Sequence, residues 1–173
     1  MQHFLIEVET KDPLPEIINW YDKIKPQYVN EMNAHKIKEW LLLDVNMNQD
    51  TIFPDIFCDP FFLLSKDIAK LVNKYEPGIR MVGVNIFSKK YRIFLPYFLP
   101  ILPIINCLSN QSEFIHEDID ISRGVIIERE TTGRGIFQLA GIETQRVVIR
   151  LDLLESILRR EPISIRVQEI EVV

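Results

Sequence analysis

Glycine is scarce in this chain, six in 173 residues, and none lies in the spacing that cradles a phosphate. The one glycine-bearing cluster, TTGRG, also lacks the following helix that such a loop needs. Cysteine is scarcer. Cys58 and Cys107 alone cannot build the disulfide framework of a small secreted domain. No CxxC, HExxH or GxSxG occurs, so zinc hydrolases and elbow serine hydrolases find no support. Lysine is absent after Lys90, which leaves any carboxylate cluster beyond it without the lysine a nuclease site usually employs. Long apolar runs are missing as well. The longest window, Ile93 to Ile105, is broken by Pro96, Pro100 and Pro103 and falls short of the roughly 20 residues that span a bilayer. The opening MQHFLIEVETKDP has no basic stretch ahead of its short apolar run, so no signal peptide is expected. These absences together favour a cytoplasmic, reduced protein without a membrane segment.

What the chain does contain is enough for a hydrophobic core. Apolar residues make up 47% and charged residues 26%, an ordinary globular balance for a single domain over residues 1–173. The net charge of −5 opposes non-specific binding to nucleic acid, which requires a basic field. The same charge suits a basic protein partner, because a surplus of one sign steers association.

The pattern along the chain predicts an α+β fold, a largely antiparallel sheet with a few short helices packed on one face. FLIEV at 4–8 reads as a strand, EIINWYDKI as a short helix and EWLLLDV as a buried strand. After FFLL, Ser65 stands where a helix cap belongs, and Ile68, Leu71, Val72 and Tyr75 make one apolar helical stripe. Pro77-Gly78 ends it, and IRMVGVNIF with YRIFLPY form a hairpin across SKK. VVIRL is another strand, Asp152 and Glu155 resemble a capping box, and Leu153, Leu154, Ile157 and Leu158 supply a second stripe. The last strand, ISIRVQEIEVV, changes alternation at Gln168-Glu169, which predicts a bulge or a departure from the sheet. GVIIERE and GIFQLAGI flank TTGRG as a second hairpin. The two strand–helix–proline–strand modules overlay at an offset of 85, with Asp67 on Asp152, Glu76 on Glu161 and Pro77 on Pro162.

The most concentrated polar run is SEFIHEDID, Ser112 to Asp120. If extended, it sets His116, Asp118 and Asp120 on one side, a set that could hold a divalent ion or serve acid/base work. Alternatively it is a charged loop or edge strand kept polar, or the rim of a protein contact. Cys58, Cys107 and the three histidines have no spacing that singles out a thiol or zinc site.

Three stretches carry a resemblance: PFFLLSKDIAKLVNKYEPGI, YRIFLPYFLPILPIINCLSNQSEF and VVIRLDLLESILRREPISIRVQEIEV. Leu102-Pro103 through Cys107-Leu108 to Ser112-Glu113-Phe114, the ESILRR helix and the acidic strand after it are similar to the DUF1629-type immunity proteins of bacterial polymorphic toxin systems. The likeness covers residues 60–173, leaves 1–59 as a variable N-terminal part, and departs at Asn106, where an acidic residue is expected. It implies a non-enzymatic protein, with no cofactor and no metal, that binds and neutralises a cognate toxin encoded next door. Charge steering then nominates Glu113, His116, Glu117, Asp118 and Asp120 as toxin contacts. The rival readings are a metal-dependent hydrolase or nuclease on the His116–Asp120 run, and a structural adaptor subunit. Hairpin strands near an edge could also pair between copies as a homo-oligomer.

Overall fold

The computed structural model describes residues 1–116 and 119–173. In chain order its strands are β1 (His3–Val8), β2 (Glu16–Ile18), β3 (Trp40–Asn46), β4 (Ile56–Phe57), β5 (Leu63–Ser65), β6 (Met81–Ser88) and β7 (Ile93–Pro100). They continue as β8 (Ile104–Ile105), β9 (Glu113–Ile115), β10 (Asp120–Arg123), β11 (Val125–Ile126), β12 (Ile136–Leu139), β13 (Val147–Arg150) and β14 (Ile165–Val172). Two α-helices, α1 (Lys66–Tyr75) and α2 (Leu151–Leu158), complete the described residues together with short 3-10 turns.

The fold is α+β, but the strands form two six-stranded sheets rather than one. The first runs β11-β14-β1-β13-β12-β8 and the second β2-β3-β6-β7-β5-β4, while β9 and β10 pair apart from both. Antiparallel pairing predominates, with β3 on β6, β11 on β14 and β12 on β8 as the parallel contacts. Helix α1 packs on β5 and β7, α2 on β13 and β1, and the helices touch each other.

The two halves share one topology. Strand β5 passes through α1 to β6, and both strands lie antiparallel to β7 between them. Strand β13 passes through α2 to β14, and both lie antiparallel to β1 between them. Outside these trios, β3 runs parallel to β6 as β11 does to β14, and β4 pairs with β5 as β12 does with β13. The helices begin at Lys66 and Leu151, 85 residues apart, which is the offset read from the sequence. One substitution breaks the correspondence. The central strand of the second half comes from the start of the chain.

Helix α1 buries Ile68, Leu71 and Val72 of its predicted stripe with Tyr75 half-buried, and α2 buries Leu153, Leu154 and Ile157, whereas Leu158, expected in the stripe, is 43% exposed. With Leu64, Ile136 and Ile149 the buried ones form a core shared by both halves. The opposite face of the second sheet, including Leu43, Val84 and Leu99, is covered by Ile24, Ala34 and Ile37. The opposite face of the first, including Leu5, Phe137 and Val148, is covered by Cys107 and Ile121.

Five local expectations change. EWLLLDV is buried on one face only, with Trp40 and Leu42 exposed on the other. EIINWYDKI is not a helix: Glu16–Ile18 pairs with β3, and the chain then turns through Trp20–Ile24 to cover the sheet. Asp152 is not a cap. The helix opens at Leu151, and the Asp152 carboxylate accepts from the Arg150 guanidinium at 2.7 and 2.8 Å. GVIIERE and GIFQLAGI do not pair with each other, because β11 joins β14 while β12 joins β13. Strand β14 carries no bulge and keeps register with β1 from Ile165 to Ile170. Its change of phase records which face is covered. Ile165 and Val167 pack toward the helices, whereas Ile170 and Val172 pack on the other side against the Cys107 cluster.

Because β14 already lies beside β1 in register, moving residues 1–9 to follow Val173 through an Asn-Gly turn should recreate the β6–β7 arrangement in the second half. The permuted chain is expected to fold with the far-ultraviolet circular dichroism and cooperative urea melt of the parent. A chain that stays unfolded would show that the equivalence of β1 and β7 is superficial.

Candidate functional site

The SEFIHEDID run is not extended. Glu113–Ile115 and Asp120–Arg123 are the arms of a hairpin with Asp120 opposite Ile115 and Ile121 opposite Phe114. His116 starts the turn in the left-handed region at φ 51°, and the Ile119 amide donates back to its carbonyl at 3.4 Å. The premise of a one-sided ligand strand therefore fails. Of the five nominated contacts, Glu113 and His116 are exposed on the hairpin, and Glu117 and Asp118 lie outside the described residues. Among the described residues no group of three or more His, Cys, Asp or Glu side chains is placed to hold a metal.

Asp120 proves to be a structural residue. Arg146 donates Nε to its Oδ1 at 2.8 Å and Nη2 to its Oδ2 at 2.5 Å, a bidentate pair. The third Arg146 bond runs from Nη1 to Glu7 at 3.0 Å, and Glu7 in turn accepts from Arg166 at 2.8 Å. This chain of alternating charge ties the hairpin to β13, β1 and β14. The hydrogen bonds from Arg146 hold the Asp120 carboxyl below its ordinary value of 3.8. Sequence reasoning missed Arg146 and Glu7, whose partners are remote along the chain. The only local hint was a charged residue within or directly ahead of an apolar strand, Glu7 inside β1 and Arg146 just before β13.

The base of the hairpin is fixed a second time. The Ser112 hydroxyl, buried, donates to the Val125 carbonyl at 3.0 Å and accepts from the Val125 amide at 3.1 Å. Ile121 points inward to the core, while Phe114, Ile115 and Ile119 remain 41%, 38% and 44% exposed. The hairpin thus has a rigid base and exposed apolar side chains on both of its faces, Phe114 on the side of Ile121 and Ile115 on the side of Asp120. Arg123 at its far edge pairs with Glu171 and approaches Glu113 at 3.8 Å.

A cleft of about 690 Å³ adjoins Arg146, lined also by Asn30, Asp59, Gln138 and Glu143. Within it Gln145 donates to Gln138 at 3.1 Å and Asn30 to the Gln27 carbonyl at 2.8 Å, while Arg146 is held by Asp120 and Glu7. Cys58 also borders it, yet burial first and the Glu7 carboxylate second push its thiol up to about 12. Burial likewise raises Cys107 to about 11. A thiol so raised is protonated at neutral pH and is a poor nucleophile. No protein-family model matches the chain, and no curated protein matches its sequence.

Two measurements follow from these contacts. A carboxyl with a depressed folded pKa stabilises fully above its ordinary value and loses that contribution as pH falls through the depressed one. Asp120→Asn should therefore cost about 1–2 kcal/mol in urea melts at neutral pH, with the gap from wild type closing as pH drops below 3.8. A pH-independent gap would contradict the pairing. Iodoacetamide at pH 7 should leave both cysteines unmodified in the folded protein and label them in urea, as mass spectrometry would report. Rapid labelling of native Cys58 would overturn the assignment of an inert thiol.

Proposed function

We propose that this protein is a non-enzymatic, cytoplasmic binding protein that neutralises a cognate toxin, in the manner of the immunity proteins it resembles. The observation that supports this reading most is the β9–β10 hairpin, which offers exposed Phe114, Ile115 and Ile119 beside Glu113 and His116 on an anchored base. Apolar anchors supply most of the affinity in such contacts, and surrounding charge supplies approach rate and choice of partner. Glu113 and His116, with Glu117 and Asp118 of the same run, remain proposed toxin contacts. Asp120 leaves that group, because Arg146 already occupies its carboxylate.

The partner that fits is a protein with a basic rim around an apolar depression. An anchored hairpin enters such a depression with little ordering cost, since its backbone is already held by Ser112 and Asp120. Occupying the catalytic cleft of a toxin in this way blocks it without chemistry on the side of the inhibitor.

The test is co-expression with the product of the adjacent gene. A stable stoichiometric complex and restored growth are expected, and Phe114→Ser with Ile119→Ser should weaken the complex about tenfold or more while leaving the melting temperature near that of wild type. Absence of both co-purification and rescue would end the proposal.

A further inference from the structure

One half of one sheet face is left apolar where the fold does not demand it. On the helix side of the second sheet, cross-strand partners form three rows. Trp40 lies beside Gly83 and Phe98, Leu42 beside Asn85 and Pro96, and Asp44 beside Phe87 and Phe94. Helix α1 covers only the Phe98 and Met81 end. Beyond it Trp40, Leu42 and Phe94 stand 61%, 45% and 63% exposed.

The first sheet provides an internal control. On the same helix side, β14 and the residue ahead of β1 carry Glu169, Glu171 and Gln2 beyond the reach of α2, the Gln2 amide bonds Glu169 at 3.1 Å, and short β11 adds only the buried Val125 beside Glu171. The topology is shared, so a solvated polar surface satisfies it. The aromatic surface of the second half therefore answers to something other than folding.

Trp40 is also held in place. Its ring lies directly over Gly83, where a Cβ would fall 2.1 Å from a ring carbon. Only glycine admits this contact, and it turns a mobile surface side chain into a fixed flat anchor. Fixed aromatic anchors lose little entropy on binding and dominate protein contacts.

The rim identifies the chemistry of the occupant. Lys89, Lys90 and Arg92 stand in the turn beyond Phe87 and Phe94, and Lys66 and Lys70 flank Met81 and Phe98 at the other end. None of these five cations has an ion-pair partner among the described residues. The carboxylate on the face, Asp44, is met by Lys23 at 4.0 Å and Asn19 at 3.4 Å. Pairing two copies of this face about a two-fold axis would set cation against cation, which disfavours self-association here.

We propose that the Trp40–Leu42–Phe94 face is a second docking surface, and that it takes an acidic, amphipathic protein segment with its apolar side chains on the aromatic rows and its carboxylates on the lysine rim. This surface is separate from the hairpin, and the proposal does not depend on the toxin-neutralising reading.

A displayed library of random short peptides would test it, panned on the wild-type protein and counter-selected on a Trp40→Ser/Phe94→Ser variant. Enriched peptides should combine carboxylates with apolar residues. They should quench or shift tryptophan fluorescence on binding, and bind the double variant, and a Lys89→Glu/Lys90→Glu variant, at least about tenfold more weakly. Phe94→Ser alone, at the most exposed of the three anchors, serves if the double variant melts early. Enrichment of basic peptides, or failure to enrich any peptide that distinguishes the variants, overturns the proposal. So does a wild-type dimer that Phe94→Ser dissociates, which would make the occupant a second copy. Tight binding of a single-stranded oligonucleotide at the same residues would overturn it too. A hairpin variant such as Phe114→Ser should leave peptide binding unchanged.

Discussion

Each half of this protein depends on filling a gap of one strand. When a strand passes through a helix to a second strand parallel to it but not beside it, both strands present unpaired amides and carbonyls to the space between. Buried backbone groups must find partners, so a third strand has to enter. In the second sheet β7 does so at once, folding back from β6 through a short turn. In the first sheet the gap between β13 and β14 is closed by β1, which bonds both of them. The second half therefore cannot complete its sheet until the first residues and the last residues of the chain have met. Such a contact joins residues as far apart as His3 and Ile170, and it carries a corresponding loop-closure cost. Glu7 and Phe4 of the same strand then become the link to the ion network and to the α2 core.

With the gaps filled, each sheet still has two faces to cover. The paired helices take one side of both. The other sides are closed by irregular chain, residues 20–37 on the second sheet and the Cys107–Ile121 region on the first. This division explains why the buried residues of β1 and β14 alternate in opposite senses at their two ends. A strand covered on one face near its start and on the other near its end must shift its apolar phase without any break in pairing. A bulge would have disturbed the β1 register on which both neighbours rely.

Elements whose burial comes from a single face were legible in the sequence. Helix α1 shows its stripe because Ile68, Leu71 and Val72 meet one core, and the β6–β7 hairpin shows itself because both strands are long and joined locally. Reading failed where an element is defined by a distant partner. Glu16–Ile18 is a strand only because β3 lies beside it, and β11 is a strand only because β14 does. The N-terminal third was opaque for a related reason: Ile24, Ala34 and Ile37 are spaced to reach into one sheet from successive turns, and no helical or strand period describes that task. The candidate site was half visible. Its composition drew notice as a charged run, but the Arg146 pair that makes Asp120 structural joins residues 26 apart that no local pattern connects.

The hairpin and the open sheet face are physically opposite surfaces. At the hairpin, Glu113 stands beside a few apolar side chains, and the arginines nearby are engaged, Arg123 by Glu171 and Glu113 and Arg146 by Asp120 and Glu7. At the sheet face, aromatic rows are bounded by uncommitted cations, and the one carboxylate is matched by Lys23. A single partner could bridge both only by carrying basic and acidic patches with the separation of these two surfaces. Two partners, or two segments of one assembly, meet the charges with less constraint. The uneven distribution of lysine along the chain, all of it at or before Lys90, is the sequence-level trace of this division. Residues 1–100 carry twelve cations against thirteen carboxylates and residues 101–173 eight arginines against twelve carboxylates, so the contrast belongs to the two faces and not to the halves as wholes. A net charge of −5 taken over the whole chain conceals that polarity. Each face must therefore be judged by the charges that border it and not by the average.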